Sequence, residues 1–508
     1  MGFCVNEEDC VKEFMSAVQE QISYKPVRKT ACKELENHLE DKAEEYIKSG
    51  MSNELAVLQA VKEMGDPVTV GVKLNESYSL QKEYKLLGLI LLSVFGGILS
   101  NFVYGYDVFY SSYFYLGVAV LFVVTVYGYR FCVIHRKLLT ALAILYGLVW
   151  SGYGIISGIL RMKGLPGISE ILWRWNADSE GIFSELFSEL MLRLFSMTVQ
   201  FNGMFFMIPF CAILIFPRAD AGDKKKQTAG LILSGVFVFA VTVSTALGPT
   251  AHYLLSAVSI VIVSYLALSI AAAWKKKNIL IPILFSLACF LFLFTYNGAG
   301  LHKSIELFAT PEKQAVSIWE DGYNGVLIKE LLGRSRPVGS VSLTEEEIRN
   351  YATGDWYFTG EKDFKMPSYI EEKTQIEDIL PQHYLNNYRI AYVIIRYGWV
   401  AGCLFLAGLA GLIALLFYTT FQIKNRLGFL LAFGSSMALS MQILIYILGN
   451  FGHQLGNFPN LPFISEGIVS IIVNMTLAGI ILSAYRYDRV IGEQSATTWK
   501  TGRKAQKV

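Results

Sequence analysis

The chain is poor in charge. Only 17% of its 508 residues are Asp, Glu, Lys or Arg, against about 25% in ordinary soluble domains. That shortfall argues against a soluble globular protein. Neither sign dominates, since 44 basic and 42 acidic residues leave a net charge of +2. No basic run is long enough to serve a nucleic-acid partner. Histidine is scarce and scattered (His38, His135, His252, His302, His383, His453) and forms no HExxH-type pair, so no metal site can be read from it. The cysteines Cys4, Cys10, Cys32, Cys132, Cys211, Cys289 and Cys403 make no CxxC or Cys/His metal spacing. They read as free thiols in a reducing compartment and as small core residues. The start of the chain lacks the basic stretch and apolar run of a cleavable signal peptide.

What is abundant is apolar surface, with 53% hydrophobic residues and a mean hydropathy of +0.41. It is concentrated in runs near 85–106, 113–133, 138–158, 197–216, 228–247, 251–273, 279–297, 388–418, 427–449 and 464–484. Each can cross a hydrocarbon core of about 30 Å. Residues 1–84 are polar and read as a small helical domain. Amphipathic helices are expected at 11–21, 27–48 and 54–64, with a shorter one at 68–75. Gly50, Ser52 and Gly65-Asp66-Pro67 act as punctuation. Residues 184–197 read as an amphipathic segment lying on the membrane face. A polar loop of residues 298–387 separates the seventh and eighth runs and is expected to pack over the outer face. Thr344-Glu345-Glu346-Glu347 follows Ser342 in a capping-like arrangement there.

Cation placement gives the orientation. With the N-terminus inside, the even-numbered connections carry Arg130, Arg136 and Lys137; Arg218 and Lys224 to Lys226; Lys275 to Lys277; and Lys424 and Arg426. The tail, residues 491–508, adds Lys500, Arg503, Lys504 and Lys507. This obeys the positive-inside rule and puts both termini in the cytoplasm.

Between the last two runs stands Gly449 to Gly467, GNFGHQLGNFPNLPFISEG, ending in Leu461-Pro462-Phe463-Ile464-Ser465. It resembles the C-terminal signature of the SEDS family, the FtsW/RodA/SpoVE-type proteins of bacterial cell-wall synthesis, close to "P-x-x-G-x-x-LPFIS-x-GG". Glu466 stands at the usual aromatic and Ile468 at the second glycine. The plain alternative is a helix start with Pro462 in its first turn. A second stretch, Leu380 to Ala391, resembles the family's "LPE-x-HTDFIFA", and Tyr392 to Gly402 matches the helix that follows. Counting back from Gly398 puts Asn387 at the family's catalytic aspartate; counting forward from Leu380-Pro381 puts Asn386 there. Either is an amide, which has no basic site near neutral pH. Asp378 is the candidate substitute, with Asp363, Glu371, Glu372 and Glu377 also nearby.

The resemblance further implies substrate contacts. Arg174 and Trp175 stand at the family's "RW" pair, where the alternative for Trp175 is an interfacial anchor. Lys303, Lys329 and Arg334 are outer-face cations that could meet a lipid-linked diphosphate, or simply form a solvated face. His383, Pro462 and Ser465 belong to the two signatures. Arg389 replaces an apolar family residue. Residues 1–84 resemble the permease prefix domain, through Lys33 to Glu40, Gly50-Met51-Ser52 and Met64-Gly65-Asp66-Pro67.

The expected fold is all-α: a cytoplasmic helical domain, residues 1–84, then a ten-helix SEDS-like membrane domain, residues 85–490. The resemblance implies a role in peptidoglycan synthesis, polymerising lipid II beside a class B penicillin-binding transpeptidase in the bacterial cytoplasmic membrane. No cofactor follows from the residues; the family allows a divalent cation. A catalytically impaired scaffold or lipid II-binding regulator is the second reading. A lipid transporter ranks last, because no internal repeat is visible.

Overall fold

The structure, a computed structural model, describes residues 7–103, 108–178, 182–194, 196–216, 224–247, 253–273, 278–296, 298–360 and 373–490. Cys4, Arg218, Lys275 to Lys277, Asp363, Glu371, Glu372 and the tail therefore lie outside the described residues, which contain helices and no strand.

Four helices come first: α1 (Glu7–Gln21), α2 (Lys25–Lys48), α3 (Asn53–Met64) and α4 (Pro67–Ser77). On α2 the buried residues Val27, Ala31, Leu35, Leu39 and Ala43 recur every fourth position, so one stripe faces inward. Leu35, Leu39 and Ala43 pack with Phe14, Val18 and Ala60 in a core of their own. Asp66 caps α4 by accepting from the Thr69 amide at 2.9 Å, and Pro67 fills the first helical position. The Thr69 hydroxyl, then its amide, hold the Asp66 carboxyl below the ordinary aspartate range.

The apolar helices follow. They are α5 (Tyr84–Val103), α6 (Val108–Ile134), α7 (Arg136–Met162), the shorter α8 (Ile168–Ala177) and α9 (Ile182–Leu194), and then α10 (Met197–Gly203) and α11 (Met207–Ile215). A 3₁₀ turn at Met204–Phe206 joins α10 to α11. Pro209 lies just beyond and has no N–H to close the preceding turn, a local reason for the break. Next come α12 (Lys224–Leu247), α13 (Leu255–Ala273) and α14 (Leu280–Tyr296). Among the described residues, eight helices are long and apolar enough to span a bilayer, and two shorter ones, Tyr84–Ser100 and Leu280–Thr295, are apolar as well. This is a multi-pass, all-α membrane protein. Small residues let the helices approach, as association in lipid requires. A Cβ on Gly154 of α7 would fall 2.3 Å from the Ser244 carbonyl of α12.

The polar loop carries α15 (Gly298–Ala309), α16 (Asp321–Arg334), α17 (Glu345–Thr353), α18 (Ile376–Ile379) and α19 (Tyr384–Asn387). Thr344 and Glu347 form a full capping box at α17. Tyr323, Leu327, Ile328, Leu331 and Ile348 belong to the same continuous core as the membrane helices, so the loop is packed down onto them.

The expected 388–418 span is two helices, α20 (Arg389–Tyr397) and α21 (Trp399–Phe421), broken at Gly398 with φ +93°. Loop residues 336–341 run past this break and satisfy its orphan backbone groups. Trp399 and Val400 donate to the carbonyls of Arg336 and Pro337, both at 3.0 Å. Gly339 and Val341 donate to Tyr397 and Ile395 at 3.0 and 2.9 Å. The chain ends in α22 (Arg426–Asn450) and α23 (Ile468–Tyr487). The last span thus starts at Ile468, and Pro462 sits in a preceding turn rather than in the helix's first turn.

Candidate functional site: the junction of α19–α20 with the 450–467 connection

Two segments meet at one end of the bundle, and Asn450 ties them together. Its side chain is fully buried at the end of α22. Its Oδ1 accepts from the Ile390 and Ala391 amides at 2.9 and 3.1 Å. Its Nδ2 donates to the Asn387 and Tyr446 carbonyls, both at 2.9 Å. The first-turn amides of α20 are thus capped by a residue 59 to 60 positions away. The buried Tyr446 hydroxyl donates to the Asn386 carbonyl at 2.6 Å and accepts from the Arg389 amide at 3.1 Å.

The LPFIS turn lies against the same residues. Ser465 Oγ donates to the Asn386 carbonyl at 3.2 Å and accepts from the Leu461 amide at 3.1 Å. The Glu466 amide donates to Asn386 Oδ1 at 3.3 Å. Phe463 holds φ +69° while only 1% exposed. A non-glycine residue in the left-handed region costs of order 1–3 kcal/mol and persists only where packing enforces it. The rest of the connection is anchored too. Gly452 and Gly325 of α16 come so close that a Cβ on Gly452 would fall 2.6 Å from the Gly325 carbonyl. Ser256 of α13 donates to the Asn457 carbonyl at 2.6 Å.

Beside this junction is a groove of about 440 Å³ between α5, α20 and α21. Leu89, Leu92, Leu404, Phe405 and Ile464 make its wall apolar, and Arg389 is the charged residue lining it. Arg389 is only 6% exposed. Its Nε donates to the Leu385 carbonyl at 2.6 Å and its Nη1 to the Ile464 carbonyl at 3.3 Å. The arrangement suits an amphiphile: a long apolar chain along the groove and an anionic head beside Arg389.

The residues singled out from the sequence divide into two groups. Asn387, Pro462 and Ser465 are at the junction. Of the two asparagines, Asn386 makes the contacts with Ser465 and Glu466, and Asn387 offers its carbonyl to Asn450. His383 is exposed at the start of α19 with φ +60°. Asp378 caps its own short helix, accepting from the Gln375 amide at 3.0 Å.

The others are engaged locally. Arg174 pairs with Glu170 on its own helix at 2.7 Å, and Trp175 stacks edge-on against Phe187 at 5.7 Å. Lys303, Lys329 and Arg334 pair with Glu320, Glu312 and Glu347 at 3.6, 3.5 and 2.6 Å. Arg334 also donates to the Tyr351 hydroxyl at 2.8 Å. These pairs knit the loop.

Sequence reasoning gave no role to Asn450, Tyr446 or Asp321. An amide and a phenol at the end of an apolar helix were the available signals for the first two. Asp321 opens α16, and its charge couples to the buried Tyr388 beside the junction. Its side chain is exposed, though the surrounding protein still desolvates the carboxyl in part. That desolvation, then Glu320, raise its carboxyl above the ordinary aspartate range, with Lys303 opposing. A carboxylate raised in this way is a candidate proton acceptor. No cluster of three or more potential metal ligands occurs among the described residues.

No curated protein matches the chain. A solved chain described as "Structural coordination of polymerization and crosslinking by a peptidoglycan synthase complex" aligns at 14% identity and a TM-score of 0.46, covering 80% of this chain and 99% of that one. Residues 378–490 match the family model FTSW_RODA_SPOVE, described as cell cycle protein. That segment runs from the start of the junction through the LPFIS turn to the end of α23, so the similarity to the FtsW/RodA/SpoVE family rests on this part of the chain.

Proposed function

We propose that this protein works in bacterial peptidoglycan synthesis by holding lipid II, or a related polyprenyl-diphosphate glycan, at the groove and the adjoining junction. The observation that carries this is the apolar groove headed by buried Arg389, beside the interlocked Asn386 and Ser465. The apolar wall suits a polyprenyl chain, and the guanidinium suits its diphosphate. A class B penicillin-binding transpeptidase is the expected partner. The four N-terminal helices act as a prefix-type docking module, and both termini face the cytoplasm. Lipid-linked glycan binding with weak or absent polymerisation is favoured over efficient turnover. The reason is local: Asn386 and Asn387 are amides, and their polar groups bond to Ser465, Glu466, Tyr446 and Asn450.

The test pairs binding with polymerisation on purified protein in nanodiscs, with a candidate transpeptidase added. Wild type binds fluorescent lipid II and polymerises little. Arg389→Leu weakens binding at least tenfold. Asn387→Asp restores a carboxylate and raises polymerisation, since general-base assistance is worth about 10²–10⁴-fold. Vigorous wild-type polymerisation that survives Asn387→Ala but not Asp321→Asn would move the base to Asp321. Unchanged lipid II binding in Arg389→Leu would refute the groove as the site.

A further inference from the structure

A second groove, of about 480 Å³, lies at the other end of the molecule between α1, α2 and α3. Leu39, Ala43, Ile47 and Val57 form its apolar floor, Glu36, Glu40 and Glu44 follow one another at four-residue spacing along its rim, and Lys12 of α1 is the one cation in its lining. Ile47 is 41% exposed, large for an isoleucine on a folded helix. Glu36 and Glu40 make no ion pair among the described residues. Glu44 reaches Lys48 at 3.3 Å, with both side chains largely in solvent, a pair of little strength. An apolar floor with an acidic rim fits a basic segment carrying one large apolar side chain.

The chain brings such a segment to this place. Past the end of α23, Val490 is 3% exposed and packs against Ile22, Val27 and Ala31. Tyr487 meets Tyr24 edge-on at 6.5 Å, and the Arg489 guanidinium donates to the Glu76 carbonyl at 3.4 Å. The chain therefore leaves the membrane helices against the first turns of α2. From Ala31, α2 climbs about 14 Å to Glu40 and about 24 Å to Ile47 at 1.5 Å per residue. Residues 491–499 can span about 30 Å when extended. Beyond Glu493 the tail has no carboxylate side chain; it has Trp499 and then Lys500, Arg503, Lys504 and Lys507.

We propose that residues 495–508 of this same chain occupy the groove, with Trp499 on the Leu39–Ile47–Val57 floor and the cations along the Glu36–Glu40–Glu44 rim. A tether this short gives the tail an effective concentration in the millimolar range, so weak exposed ion pairs and one aromatic anchor suffice. The docked tail straps α1–α4 to the end of α23, the helix that begins just after the LPFIS turn. The proposal is independent of the lipid-binding reading.

The test places a photo-crosslinker at the anchor, Trp499→p-benzoylphenylalanine, in the full chain in nanodiscs at low protein concentration. Irradiation is expected to join the tail to peptides of α2 or α3 within one chain. The yield should fall about fivefold or more in the triple variant Glu36→Lys, Glu40→Lys, Glu44→Lys. It should recover when Arg503→Glu and Lys504→Glu are added. All three glutamates are exposed, so the reversals do not enter a core, and recovery shows that the variant is folded. High salt should lower the wild-type yield. Crosslinks to lipid, to another chain or to no peptide overturn the proposal, as does a yield indifferent to the charge reversals.

Discussion

Asn450 is one fully buried amide that accepts from two backbone amides at the start of α20 and donates to the Asn387 carbonyl beside them and to the Tyr446 carbonyl of its own helix. Replacing it by leucine leaves those groups without partners in an apolar setting, where each unmet group costs about 1–3 kcal/mol. Asn450→Leu is therefore expected to lose about 3 kcal/mol or more, read as a fall in the unfolding midpoint in detergent. Asn450→Asp keeps the acceptor and loses the donor, so it should fall between the two. A leucine variant as stable as wild type would show that water replaces the amide. The same residue explains a misplacement of emphasis. Asn386 and Asn387 draw attention in the sequence, yet what fixes them is contributed by α22 and by the LPFIS turn.

At the scale of elements, the break at Gly398 shows how the loop and the membrane helices depend on each other. A Cβ on Gly398 would fall 2.6 Å from the Pro337 carbonyl, and its φ of +93° disfavours any side chain. Gly398→Ala should cost about 1–3 kcal/mol. It should also release residues 336–341 to protease while α21 stays protected; unchanged cleavage would mean that the contact gives way without cost.

Helix α17 offers a pH test. The Thr344 backbone amide, then the Arg334 guanidinium, hold the Glu347 carboxyl below the ordinary glutamate range. Its folded pKa is thus below its unfolded one. The stabilisation is present above about pH 4.3, the unfolded value, and is lost as pH falls through the folded value. Melting curves from pH 6 to 3 should show a shallower acid dependence in Glu347→Gln than in wild type.

At the scale of the whole molecule, α23 links two ends. It starts beyond the LPFIS turn at the junction. It finishes against α1–α4 at Tyr487 and Val490, while Asp488 accepts from the Lys424 and Asn425 amides at 2.9 and 2.7 Å and so fixes the turn between α21 and α22. The proposed orientation puts the junction outside and the N-terminal helices inside. Single cysteines at Ser340 and at Lys225, in a background without the native cysteines, test this on intact cells. A membrane-impermeant thiol reagent should label the first and spare the second. The reverse pattern would invert the molecule.

Much of this architecture is present in local sequence. Runs of apolar residues and the requirement that backbone groups be satisfied in lipid account for the eight long and two shorter apolar helices among the described residues. Gly65-Asp66-Pro67 became a helix cap, and a capping box formed two residues past Ser342, at Thr344 with Glu347, because both depend on residues within one turn. The LPFIS signature and its match to residues 378–490 are likewise sequence properties. Tertiary structure decided what depends on distant partners. Gly398 splits a continuous apolar run because the 336–341 segment lies across it. Phe463 accepts an unfavourable backbone because burial holds it there. Lys303, Lys329 and Arg334 have carboxylate partners 13 to 17 positions away, and a distant amide, Asn450, fixes the asparagines of the junction. Helix formation and capping are set by neighbours along the chain. Pairing of buried polar groups is set by neighbours in space, and those exist only once the helices have packed.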